Sequence, residues 1–240
     1  MSNLKQAWWI TQKDIKNEKR YFFWTFIFAG YMAFTISIMI MGQSNADVRF
    51  LNPITDFMML MIMTFLGFYF SRRSFKYLSE DSYTQMLIYF RTLPISPQIV
   101  MTYRLLQTFL ALAINSIVFF GLLYVVSPSI QEQLAGMGYV AFILTWLGYA
   151  MITNAIYIYA EFLNRGKKYF WISSAFVPLM IVIALIINLC GGNLFNLTVE
   201  MSHQMGILSP LMWGMLLIGV ISLYISSIVT LRKLQTRDLV

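Results

Sequence analysis

The sequence predicts an all-α integral membrane protein of six transmembrane helices with both termini in the cytoplasm. Three observations carry this. First, the 240-residue chain is 59% hydrophobic and only 11% charged, with a mean hydropathy of +0.68. Soluble domains are about 45–50% apolar and about 25% charged, so the excess apolar side chain here has to face lipid. Second, six windows are long enough to cross a bilayer: 21–41, 54–70, 108–126, 139–160, 170–190 and 211–229. A span needs roughly 20 apolar residues, because about 30 Å of hydrocarbon is crossed at about 1.5 Å per residue. Third, every Lys and Arg except Arg49 falls in the first, third, fifth or last of the segments between and around these windows. By the positive-inside rule those segments are cytoplasmic, so hydropathy and charge support the same alternation.

The segment before the first window carries Lys5, Lys13, Asp14, Lys16, Glu18, Lys19 and Arg20. Charges spread this way, followed by an apolar run longer than a signal-peptide core, predict a retained first span rather than a cleaved leader. Within 1–20, Leu4, Trp8 and Ile15 share a helical face with Trp9 beside them and lysines opposite. This predicts an amphipathic helix lying along the inner leaflet. Before the second window, Asn52-Pro53 reads as a cap followed by proline in the first turn.

The connection 71–107 is the longest on the basic side. Ser79-Glu80-Asp81-Ser82 supplies cap and early acidic residues for a short helix over 79–91, in which Tyr83, Met86, Leu87 and Phe90 form one apolar stripe. Such a stripe needs lipid or a partner's groove to cover it, and Glu80, Asp81 and Arg91 would set register with that partner. Pro94 stops this helix, and Ser96-Pro97 starts the one that rises into the third span. The segment 161–169 is a tight basic turn. The outer segment 191–210 is nearly uncharged and apolar enough to dip back into the membrane.

Much chemistry is absent. One cysteine, Cys190, and one histidine, His203, allow no intrachain disulfide, no cysteine metal cluster and no His-Glu-x-x-His zinc site. There is no P-loop, so the chain does not hydrolyse ATP by that route. The net charge of +7 follows topology and implies no nucleic-acid partner. Among intramembrane polar residues, Asp56 reads either as a hydrated interfacial acid or as a cavity-lining charge. Asn115 and Asn154 read as bonds between helices or as the lining of a substrate path. Pro178 would kink the fifth span.

The run Tyr89-Phe90-Arg91-Thr92-Leu93-Pro94-Ile95-Ser96, leading to Ile99-Val100 and Arg104-Leu105-Leu106, together with the six-span layout, resembles the permease subunits of bacterial ATP-binding-cassette transporters of the type-two exporter class. Leu208-Ser209-Pro210 before the last span is a weaker echo of the same turn. The resemblance implies that 1–240 is one permease domain in a bacterial plasma membrane. The 79–91 helix would be a coupling helix, and Glu80, Asp81, Tyr83, Met86, Leu87, Phe90 and Arg91 would meet an ATPase dimer carrying ATP and magnesium, neither of which this chain would bind. The 1–20 helix would lie beside it as a connecting helix. A second permease copy or homologue would pair chiefly through spans one and five, and the outer segment would close an outer gate. The cargo would be hydrophobic or amphipathic, such as an antimicrobial or toxin-like peptide, with Asp56, Asn115 and Asn154 on its path. A non-transporting anchor or sensor subunit, and an intramembrane lipid-modifying enzyme, are the competing expectations.

Overall fold

A computed structural model describes residues 2–43, 51–93 and 95–237. Among these residues every regular element is helical: α1 (Asn3–Asn17), α2 (Lys19–Gln43), α3 (Leu51–Phe65), α4 (Arg72–Glu80), α5 (Ser82–Thr92), α6 (Pro97–Val126), α7 (Pro128–Gln133), α8 (Met137–Leu163), α9 (Gly166–Leu189), α10 (Leu194–Met205), a 3-10 turn Gly206–Leu208, and α11 (Pro210–Thr236). Pro94, expected to stop a helix, and Arg49, the one basic residue expected outside, lie beyond the described residues.

Five helices, α2, α6, α8, α9 and α11, are long and apolar enough to cross a membrane. Away from their basic ends, α9 and α11 expose mainly apolar side chains, among them Leu185, Leu189, Leu217 and Ile221. Such faces are stable only against lipid or another apolar surface. The protein is therefore an all-α, multi-pass membrane protein.

The expected second span, 54–70, differs. Its helix, α3, has 15 residues and ends at Phe65. That is about 22 Å, short of a bilayer's hydrocarbon thickness. Residues 66–71 leave the helix, and Gly67 marks the break. Irregular backbone at that depth is tolerated only where protein satisfies it, and here the neighbouring helices do so. Asn115 on α6 donates to the Leu66 and Phe68 carbonyls at 2.9 and 2.7 Å. Asn154 on α8 donates to the Thr64 carbonyl at 3.3 Å. The Phe70 amide donates to Thr25 Oγ1 on α2 at 2.9 Å.

Helix starts follow a repeated local rule. Ser96, Ser127 and Ser209 each sit at an N-cap position before a proline that opens α6, α7 and α11. Proline fits there because its fixed φ is already helical and the missing amide is one the helix would leave unpaired. Ser71 and Asn193 cap α4 and α10 through side-chain bonds to Ser74 N and Asn196 N.

Helix α8 is the hub, packed by α3, α6, α9, α10 and α11. It meets α11 at Gly148 and Gly219, where an added Cβ would fall 2.5 Å from Met215 C and 2.7 Å from Gly148 O. Only glycine lets two membrane helices approach this closely. One apolar core, with Met59, Phe119, Phe142, Trp146 and Phe195, fills the end near α10. A second, with Ala7, Met86, Leu87, Phe90, Tyr103, Phe162 and Leu234, ties α1, α5, α6, α8 and α11 at the other end. Both the N-terminal helix and the end of α11 therefore sit at one pole of the bundle, beside α4 and α5 and beside most of the basic residues.

Candidate functional site

The distinctive chemistry of the molecule lies at this basic pole. Tyr103, Arg104, Gln107 and Thr108 put a polar stripe on the first turns of α6, facing inward. The Arg104 guanidinium meets the Glu161 carboxylate of α8: Nε lies 3.1 Å from both carboxylate oxygens and Nη2 lies 2.8 Å from Oε2. Nη1 donates to Thr108 Oγ1 at 3.1 Å, and the cation lies over the Phe68 ring. Both side chains are nearly inaccessible, at 7% and 2% exposure. A planar guanidinium matches a carboxylate in this forked geometry, which is why arginine suits a buried pair better than lysine.

One turn away a second network joins three helices and the 66–71 segment. Arg73 of α4 pairs with Asp14 of α1 at 3.1 Å and donates to Tyr103 Oη at 2.9 Å. The Tyr103 hydroxyl in turn donates to Asp14. Gln107 Nε2 donates to Tyr103 Oη at 2.6 Å and to Tyr69 Oη at 2.8 Å. Burial by itself would lower the Arg73 pKa, but Tyr103 and Asp14 beside it hold it above its usual value. Glu18, at the α1–α2 junction, is pushed up by burial, an effect that Arg73 partly offsets.

The α4–α5 hairpin is bound to the rest of the chain at both ends. Its elbow is Asp81, at φ +48°, between the two helices. The Asp81 carboxylate accepts from the Gly166 amide at 2.7 Å, in the first turn of α9, where the helix dipole favours a negative charge. At the far end Arg91 donates to the Leu234 and Arg237 carbonyls at the end of α11, both at 2.8 Å. Arg237 returns bonds to Thr84 and to the Phe162 carbonyl.

This corrects several expectations. The helix expected over 79–91 is two helices, and Ser79 lies inside α4 rather than capping a new one. Sequence reading missed α4 because its residues look like a polar loop. Tyr83, Met86, Leu87 and Phe90 are buried within the chain, at 3–8% exposure. Met86, Leu87 and Phe90 are covered by α1, α6, α8 and α11, and Tyr83 by α4, α8 and α9, so the stripe is covered within the chain. Asp81 caps α9, Arg91 holds α11, and Glu80 pairs with Lys76 on its own helix. The surface that the hairpin leaves free is another one: Gln85, Ile88, Tyr89 and Thr92 on α5, with Phe75 and Leu78 on α4. On α1, likewise, Ala7 and Thr11 are the buried positions, while Leu4 and Trp8 point away from the protein.

The path candidates are also placed. Asp56 sits where α3 meets the start of α10. It is fully buried, and its two oxygens each accept a backbone amide, from Leu194 and Phe195, at 2.8 Å. It caps α10 from α3. Asn115 and Asn154 bond between helices, as the first of their two readings holds. Asn115 also lines a small apolar cavity with Phe28, Phe65 and Phe119. A larger apolar cleft of about 300 Å³ lies between α3, α4, α8 and α9, walled by Phe65, Phe68, Tyr77, Tyr157, Tyr169 and Phe176.

No group of three or more metal-ligating side chains occurs among the described residues. Comparison with known proteins returns no match: no family model, no curated protein and no solved structure is similar to this chain.

Proposed function

We propose that the chain is the permease subunit of an ATP-binding-cassette exporter, moving a hydrophobic or amphipathic cargo outward across a bacterial plasma membrane with ATP hydrolysed by a separate subunit. The observation that carries this reading is the fastening of the α4–α5 hairpin. Through Arg73, Asp81 and Arg91 the hairpin is bonded to α1, α6, α9 and α11. A push on its free face reaches several membrane helices at once, as an external motor would require. On this reading the basic pole is cytoplasmic. The aromatic cleft beside α9 suits an apolar cargo better than the three engaged polar residues do.

The ATPase would seat on Ile88 and Tyr89, which are 42% and 61% exposed. The test is affinity purification of the chain from its native membrane, with identification of any co-purifying P-loop ATPase. That ATPase should be present with the wild type and lost with Ile88→Asp/Tyr89→Asp, at unchanged thermal stability. If no ATPase accompanies the wild type, or if the double variant keeps it, the reading fails. Leu87→Asp and Phe90→Asp would not serve, because both would place a charge in the chain's own core.

A further inference from the structure

The basic pole carries an open groove of about 530 Å³ between α1, α4 and α5. Its walls include Trp9, Lys13 and Asn17 from α1, Arg72 and Lys76 from α4, and Tyr89 from α5. Arg73 and Asp14 at its floor satisfy each other, and Lys76 pairs with Glu80. Lys13 and Arg72 remain. Both are exposed, and neither has a carboxylate within ion-pair distance among the described residues. Lys13 lies over the Trp9 ring at 5.3 Å. Glu18 is close enough to Arg72 to feel its charge, without forming an ion pair with it.

The position of the groove says what these cations face. Only Glu18 separates α1 from α2, the first membrane-length helix. Arg72 lies near that same Glu18, so the groove opens at the level where α2 begins. One turn further along α4, Phe75 is 63% exposed and packs on Tyr21 of α2 and on Phe70. Helix α4 thus presents a basic face to the groove and an apolar face beside the first span. Trp8 and Trp9 are exposed along α1. Indoles, unpaired cations and an adjacent apolar face at the foot of a membrane helix match the boundary between lipid headgroup and acyl chain.

We infer that this groove binds the headgroup of an anionic phospholipid. Its phosphate oxygens accept from the Arg72 guanidinium and the Lys13 ammonium, and its acyl chains lie along α2 and Phe75. The inference stands independently of the transport reading, since it needs only a membrane-embedded chain.

The test uses the full chain in detergent, with phosphatidylglycerol or phosphatidylcholine titrated in. Bound lipid is read by native mass spectrometry and stability by the thermal midpoint. Phosphatidylglycerol should bind saturably and raise the midpoint, whereas phosphatidylcholine should not. Lys13→Gln/Arg72→Gln should weaken phosphatidylglycerol binding by about tenfold or more. Lys167→Gln/Lys168→Gln removes equal charge from the same pole outside the groove and should leave binding intact. Circular dichroism checks helicity, and Lys13→Gln alone serves if the double variant loses helix. Four results would overturn the inference. They are equal binding of both lipids, equal loss in the Lys167/Lys168 control, competition by free glycerol phosphate at the lipid's own concentration, and displacement of the lipid by a co-purified protein.

Discussion

Arg104 on α6 and Glu161 on α8 form a forked ion pair, 2.8 Å at its closest, with both side chains buried. The pair joins the helix that leaves the α4–α5 hairpin to the hub of the bundle. Removing one partner strands a buried charge. Glu161→Leu should therefore destabilise the protein by about 3–5 kcal/mol, whereas Arg104→Met/Glu161→Leu should recover most of that loss. Thermal unfolding of the two variants in one detergent checks this. Equal loss in both would mean that the pair contributes net stability beyond mutual neutralisation.

The break after α3 depends on a steric fit. A Cβ on Gly67 would lie 2.2 Å from Asn154 Oδ1, so Gly67→Ala should displace the amide and free the Thr64 carbonyl. The expected cost is about 1–3 kcal/mol. Asn154→Ala alone also loses that bond. The double variant should be no worse than Asn154→Ala, because the clash is gone. A double-mutant cycle on thermal midpoints reads the coupling, and simple additivity would refute it.

Asp56 holds α10 by its first two amides. Asp56→Ala should cost about 0.5–2 kcal/mol, as for other lost caps. The loss should be local, with faster hydrogen exchange at the start of α10 and little change in α8. Uniform acceleration across the bundle would contradict a local capping role.

Glu18 makes stability depend on pH with a definite sign. Its folded pKa lies above the ordinary 4.5. Below that value both folded and unfolded chains carry the proton, and Glu18 contributes nothing. As pH rises past 4.5 the unfolded chain ionises first. The folded state loses relative stability until its own raised pKa is passed, and the penalty then stays constant. Glu18→Gln should therefore raise the thermal midpoint at neutral pH by roughly 1–3 °C, and the gain should vanish near pH 4. A stabilisation that persists at pH 4 would assign the effect to packing instead.

Helix positions were largely legible in the chain. Long apolar runs and the Ser96-Pro97 and Ser209-Pro210 starts act locally, so α6, α8, α9 and α11 follow from spacing and capping alone. The stop of α3 at Phe65 was not legible. Residues 66–70 are apolar enough to continue a span, and what ends it is the pair of amides that Asn115 and Asn154 bring from distant helices. The α4–α5 stripe was legible as a stripe but not as to what covers it. The periodicity of Tyr83, Met86, Leu87 and Phe90 records that one face is buried. It carries no information on whether the covering surface belongs to the same chain.

The sequence by itself determined that this is a helical membrane protein with its cations gathered at particular connections. Hydrophobicity and charge act additively along a chain, residue by residue, so that much can be summed without a structure. Only the tertiary structure decided which polar residues meet. Arg104 reads as a basic residue on the helix entering the third span, Glu161 as the start of a basic turn, Asp14 as part of a helix lying on the membrane, and Asp81 as an acid of its own helix. Each forms its decisive bond across a large gap in sequence. Such pairings depend on how helices cross, a three-dimensional property that no local pattern encodes.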